Sequence, residues 1–162
     1  MKLYFLRHGI AQDISSTGAD RDRELTAEGI AEMEREAEGL KRLNLDLDLI
    51  LSSPYSRALE TARIVAKELG LMDRLSVDSR LEPGFRLKEL QEIVEDLQSE
   101  RRVMLVGHNF DFPVIAGELA GGAEIELKKG GLIRVGLDQV EPGTGAIEWV
   151  LTPRHLIAIG GA

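Results

Sequence analysis

Four successive apolar residues, Val103-Met104-Leu105-Val106, constrain the fold more than any other feature of this chain. A strand with one wet face alternates apolar and polar residues, whereas an unbroken apolar run must be covered on both faces, as between two layers of helices. The rest of the sequence supplies such layers. Leu3 to Leu6 reads as a first strand, and Thr26, a favoured N-cap type, opens a helix whose apolar stripe is Ile30, Met33, Ala37, Leu40 and Leu43. Leu47 to Leu51 reads as a second strand, followed by a helix with Ala58, Ala62, Val65 and Leu69 on one face and Gly70 as its stop. A short extended piece surrounds Val77, and a third helix carries Leu87, Leu90, Val94 and Leu97. After the apolar run, Phe112 to Leu119 is helical with Pro113 in its first turn and Gly121-Gly122 at its end. Leu132 to Leu137 and Ala146 to Leu151 form a hairpin across Pro142-Gly143. This alternation predicts an α/β fold of three layers, α/β/α, with a mostly parallel central sheet and an antiparallel C-terminal part.

With 162 residues, 43% hydrophobic and 30% charged, and no repeat or linker, residues 1 to 162 are expected to form a single domain. The absence of cysteine removes disulfides and thiolate metal sites. The apolar stretch before Arg7 is too short for a signal peptide, and no run approaches a membrane span, so a cytoplasmic location is expected. A formal net charge of −8 disfavours nucleic acid and anionic membranes as partners. It also means that any anion site must draw its positive charge from a few concentrated residues.

In open α/β sheets, ligands bind beyond the carboxyl ends of the strands. Three strands here end in chemistry: the first in Arg7-His8-Gly9, the second in Ser52-Ser53-Pro54 with Arg57, and the apolar run in Gly107-His108-Asn109. Topology alone brings two histidines and two arginines to one edge. An arginine presents a planar fork of donors that matches phosphate oxygens, each charge-assisted bond contributing about 1.5–3 kcal/mol. A neutral imidazole in line with phosphorus can attack it, provided that its other nitrogen donates its proton to a fixed acceptor such as a backbone carbonyl. His8 fits the attacking group and His108 a second donor to the phosphoryl oxygens, stronger when protonated. Gly9, lacking a Cβ, allows a sharp turn and a close approach of substrate.

These segments resemble the histidine phosphatase superfamily, phosphoglycerate mutase-like in fold, and most of all its compact SixA-type phosphohistidine phosphatases. The resemblance rests on Arg7-His8-Gly9, on Arg23-Glu24-Leu25-Thr26-Ala27-Glu28-Gly29, on Ser52 to Ala62, and on Val106-Gly107-His108-Asn109. It implies a phosphoryl acceptor at His8, a phosphate pocket of Arg7, Arg57 and His108, and no metal or organic cofactor. It further implies a phosphorylated partner, either the phosphotransfer domain of a protein or a small phosphorylated metabolite. The chain has little room for the insertions that mutase branches carry, and Phe110 stands where many relatives have proline. The general acid for an ester leaving group falls to Glu82, in Arg80-Leu81-Glu82-Pro83-Gly84, or to Asp20 on the first loop, and Asn109 is a further candidate for substrate contact.

Other readings of the same residues carry less. Ser52 and Ser53 lie in no Gly-x-Ser-x-Gly elbow and read as turn or pocket-edge residues. The three histidines have no helix-borne metal-binding spacing, adjacent arginines would repel a cation, and His155 reads as structural or exposed. A binding module that reads phosphorylated partners without turning them over would keep the arginines, but retention of His8 favours an enzyme. A small-molecule phosphomonoesterase on the same site is the alternative to phosphohistidine hydrolysis.

Overall fold

A computed structural model describes residues 1–161. Six strands and five α-helices alternate along the chain: β1 (Lys2–Arg7), α1 (Ala27–Leu43), β2 (Leu49–Ser52), α2 (Ser56–Leu69), β3 (Leu75–Val77), α3 (Leu87–Asp96), β4 (Arg102–Gly107), α4 (Asp111–Leu119), β5 (Leu132–Leu137), β6 (Gly145–Leu151) and α5 (Pro153–Gly160). They build one sheet in the order β3-β2-β4-β1-β5-β6. The first four strands in that order run parallel, and β5 and β6 are antiparallel additions.

The apolar run is the middle of β4, flanked by β1 and β2, and its residues point alternately into two separate cores. Val103 and Leu105 join Leu3, Phe5 and Ile133 beneath α3 and α4, where Leu90, Ile93, Phe112 and Ile115 pack. Met104 and Val106 join Tyr4, Leu6, Ile50 and Leu132 on the other face, beneath α1, α2 and α5. Fully burying one such side chain contributes roughly 1.5–3 kcal/mol, so a strand buried on both faces anchors both cores.

Two elements differ from the sequence reading. Ile30, expected in the stripe of α1, is 39% exposed; the buried face is instead Gly29, Met33, Glu36, Ala37, Gly39 and Leu40. The helix is seated by its glycines: a Cβ on Gly29 would stand 2.0 Å from the Ile10 carbonyl oxygen, and one on Gly39 2.0 Å from that of Leu156. Close backbone approach at these points rotates Ile30 to the flank. The second difference is α5, which follows β6 with Thr152 as N-cap and Pro153 at its first position and packs against α1. His155 belongs to it, exposed, with Nδ1 facing the Thr152 N–H at 3.2 Å. Among the described residues, no helix is long and apolar enough to cross a membrane.

Candidate active site

Register alone sets the first contacts. Arg7 pairs with Gly107 across β1 and β4, and Ser52 pairs with Val106 across β2 and β4. One residue further, the ladders persist: the His8 N–H donates to the Gly107 carbonyl and the Ser53 N–H to the Val106 carbonyl, both at 3.0 Å. His8, Ser53 and His108 therefore leave three adjacent strands side by side, and the two imidazole centroids lie 5.5 Å apart. Arg57 arrives in the first turn of α2, directly after the Ser53-Pro54-Tyr55 turn, and is 6% exposed.

His8 is held as one tautomer. Its Nδ1 lies 2.7 Å from the Gly9 carbonyl oxygen, which can only accept, so Nδ1 carries the proton and Nε2 keeps its lone pair. Arg57 Nε donates to that lone pair at 3.3 Å. Burial pushes the ring's pKa down to about 4, with the guanidiniums of Arg57 and Arg7 and the Lys129 ammonium adding to the effect, so His8 is neutral at pH 7.

His108 is also driven neutral in the unliganded site, its pKa lowered to about 3, chiefly by burial and then by His8 and Arg57. Its Nε2 shares a 2.8 Å hydrogen bond with Ser53 Oγ, and its buried Nδ1 has no hydrogen-bond partner among the described residues. The Tyr55 ring stands edge-on to it, centroids 5.2 Å apart, and also lies under the Arg57 guanidinium. Arg7 is fixed by Nη1 donating to the Leu127 carbonyl at 2.8 Å. With Asn109 and Phe110 it lines a cleft of about 620 Å³.

The structure also places Asp20, Glu82 and Gly9. Asp20 does reach the cluster, but as a carboxylate on the anion-binding arginine: Oδ2 accepts from Arg57 Nη2 at 3.2 Å, and the Asp20 carbonyl accepts from Nη1 at 2.9 Å. Arg23, donating to its other oxygen at 2.9 Å, and Arg57 hold its carboxyl below the usual range. It is thus ionised, a poor proton donor and a repellent to phosphate. Glu82 closes the 3-10 turn Ser79–Leu81, half-buried, and its carboxylate makes no hydrogen bond or ion pair among the described residues. At Gly9 the missing Cβ also admits α1, for a Cβ would lie 2.6 Å from Met33 Cγ.

Three supports have roles that the sequence alone does not assign. Thr61 Oγ1 accepts from the Gly9 N–H at 3.1 Å and donates to the Arg57 carbonyl at 2.7 Å, tying the His8 turn to α2. Glu60 accepts from the Leu25 N–H at 2.8 Å and anchors the first loop. The segment from Leu127 to Gly131 closes the site's other side, the Gly130 N–H donating to both the Arg7 and His8 carbonyls at 3.1 Å. Its one signal is Lys128-Lys129-Gly130-Gly131, a basic pair next to a glycine pair just before β5.

Comparisons with known proteins agree with this geometry. The family model of the histidine phosphatase superfamily (branch 1) matches residues 3–86. An uncharacterised protein of Picosynechococcus sp. is 35% identical over 97% of this chain and 99% of its own length. Phosphohistidine phosphatase SixA of Escherichia coli is 26% identical, with 96% of each chain covered. The solved structure of the protein histidine phosphatase SixA complexed with tungstate superposes with a TM-score of 0.85 at 25% identity, covering 96% of this chain and 99% of that one. With strand order, strand-end histidines and sequence all pointing the same way, the chain belongs to the histidine phosphatase superfamily, in its SixA-type branch.

Proposed function

We propose that this phosphatase hydrolyses phosphoryl groups through a covalent phosphohistidine on His8, without a metal ion, and that its substrate is the phosphohistidine of a phosphotransfer protein. The observation that carries the reading is the tautomer of His8: a neutral ring, its Nδ1 proton donated to Gly9 O, with the Nε2 lone pair turned toward Arg57. When a phosphoryl group binds, its oxygens take the donors of Arg7 and Arg57, and Nε2 is released to attack phosphorus in line. The P–Nε2 bond forms as the bond to the leaving group breaks, and a substrate imidazole already protonated on its other nitrogen departs neutral with the bonding pair. Water then attacks the phosphohistidine, the P–Nε2 bond breaks, the water proton passes to solvent, and phosphate departs. The bound dianion raises the proton affinity of His108, which then donates to the phosphoryl oxygens where charge builds up. Arg7 and Arg57 supply the positive charge for both steps.

The state of the two carboxylate candidates bears on the substrate class. A positioned acid is worth typically 10²–10⁴-fold for a poor alkoxide leaving group. Asp20 is ionised by its arginines and Glu82 makes no polar contact among the described residues. An imidazole leaves far more readily than an alkoxide, so phosphohistidine suits a site without a strong acid, and similarity to a phosphohistidine phosphatase of Escherichia coli supports the same reading. The test compares turnover of a histidine-phosphorylated phosphotransfer domain with that of an alkyl phosphate, both with chelator present. Faster turnover of the phosphohistidine is expected. Preference for the alkyl ester would sink the substrate reading, and loss of activity in chelator would sink the metal-free reaction.

Asp20 also predicts a smaller effect. Its carboxylate competes with phosphate for Arg57, and because the Asp20 side of the pair is 57% exposed the ion pair contributes about 0.2–1 kcal/mol. Asp20→Asn keeps the backbone carbonyl that tethers Arg57, and inhibition by inorganic phosphate should tighten by a factor of roughly 1.5–5. Weaker inhibition would show that Asp20 helps to bind the anion.

A further inference from the structure

Beside the arginines, the surface turns apolar. Phe110 and Val114 are 76% and 63% exposed, and they lie one helical turn apart at the start of α4. Three hollows meet at Phe110: the cleft of about 620 Å³ that includes Arg7, a groove of about 790 Å³ running past Val114 to Gly121 and Pro142, and a smaller one of about 160 Å³ toward Leu87. Neither side chain serves the fold: Phe110, at the N-cap of α4, makes no side-chain cap bond, and neither residue belongs to a buried core. A shelf of this kind, continuous with the site of chemistry, is where a substrate's neighbouring residues would lie.

Charge says what those residues are. Glu118 and Glu124 are the charged residues that line the long groove, and neither is in an ion pair among the described residues; of the cations lining the two adjoining hollows, Lys128 is matched by Glu126 and Arg86 by Glu89, while Arg7 is the one aimed at the phosphoryl group. The groove is therefore an apolar floor with a net acidic rim, on a chain of net charge −8. A second copy of this chain would bring like charge against like. A segment that combines apolar and basic residues would meet both features.

We infer that the Phe110–Val114 shelf docks the segment flanking the phosphorylated histidine of a protein substrate, and that this segment is apolar with lysine or arginine placed against Glu118 and Glu124. The inference rests on the phosphohistidine-protein reading above. It makes the shelf a determinant of substrate choice: the arginines read the phosphoryl group, which all substrates share, and the shelf reads its surroundings.

The test uses the whole protein with two synthetic phosphohistidine peptides, one flanked by leucine, phenylalanine and lysine and the other by serine and aspartate. The wild type should favour the first by about tenfold or more in kcat/KM, mostly through KM, as expected for burial of one or two apolar side chains. The double variant Phe110→Ser, Val114→Ser should bring that ratio below about threefold, and Glu118→Lys with Glu124→Lys should lower it as well. Because each ratio is taken within one protein, a folding defect that lowers both rates leaves it unchanged. A wild-type ratio near one, with both peptides hydrolysed, overturns the shelf and leaves the phosphohistidine reading intact, as does a ratio that survives the serine variant. Hydrolysis of p-nitrophenyl phosphate but of neither peptide overturns both. A dimer in sedimentation that the serine variant abolishes would assign the shelf to a second copy and overturn its role in docking substrate.

Discussion

His8→Ala is expected to lower kcat/KM toward a histidine-phosphorylated phosphotransfer domain by on the order of 10⁴-fold or more, since no neighbouring group replaces a lost nucleophile. The loss should appear almost wholly in kcat, because Arg7, Arg57 and His108 remain to hold the phosphoryl group. Binding of a phosphate analogue such as tungstate should persist, which separates loss of the nucleophile from collapse of the pocket. Rapid quench of the wild type in alkaline detergent, where a P–N bond survives, with ³²P-labelled substrate should trap label on the phosphatase, and none should be trapped on the variant. The ring's ionisation supplies an independent check. With its pKa lowered to about 4, His8 should stay neutral and protonated at Nδ1 as pH falls from 8 to 5, and ring ¹⁵N shifts should report protonation only near pH 4. A ring that titrates near 6.5 would mean that the pocket is wetter than its burial indicates, and a variant retaining a tenth of wild-type activity would remove His8 from the nucleophile's role.

That His8 can be singled out without coordinates reflects how much of this site is set by strand order. Once β1, β2 and β4 are neighbours in a parallel sheet, the residues after Leu6, Leu51 and Val106 must converge, so Arg7, His8, Arg57 and His108 are legible from the apolar runs and the residues at their carboxyl ends. The supports are not. Gly29 and Gly39 seat α1 by backbone contact, which leaves no hydrophobic signal, so the apolar period points to Ile30 in their place. Thr61 and Leu127 act on the site through a hydroxyl and a carbonyl, groups that many residues carry, so their importance exists only in three dimensions. The helix α5 has its start marked by Thr152-Pro153, but eight residues are too few for a clear apolar period. Asp20 shows what the sequence leaves out, because sequence locates a carboxylate and not its neighbours: Arg23 and Arg57 make Asp20 an ion-pair partner.

Glu36 is hidden for the opposite reason, and it carries the largest expected effect on stability. Its place on α1, three residues after Met33 and four before Leu40, is on the buried face, yet a charged residue does not read as core. It is fully buried, neither carboxyl oxygen has a hydrogen-bond partner among the described residues, and both crowd Gly130, where a Cβ would lie 2.4 Å from Oε1. Burial, with the nearby Glu32 carboxylate adding to it, pushes its pKa up to about 9. The unfolded chain releases this proton near the ordinary value of about 4.3, while the folded chain keeps it until about pH 9. Between those values the folded state binds more protons than the unfolded state, so stability falls as pH rises through the window. The loss is of order 3 kcal/mol by pH 7 and approaches its full extent at pH 9. Glu36→Gln keeps the shape without the ionisation. It should match the wild type near pH 4 and exceed it increasingly above pH 5, with denaturant midpoints recorded from pH 4 to 9 showing curves that diverge with pH. Parallel curves would mean that Glu36 is charged when folded and has found a cation or water to hold it. The same ionisation bears on the site, because Gly130 donates to the carbonyls of Arg7 and His8. A carboxylate forced to charge beneath Gly130 draws water under the turn that aims the His8 ring, so wild-type activity should fail toward pH 9 together with its stability, and Glu36→Gln should retain both.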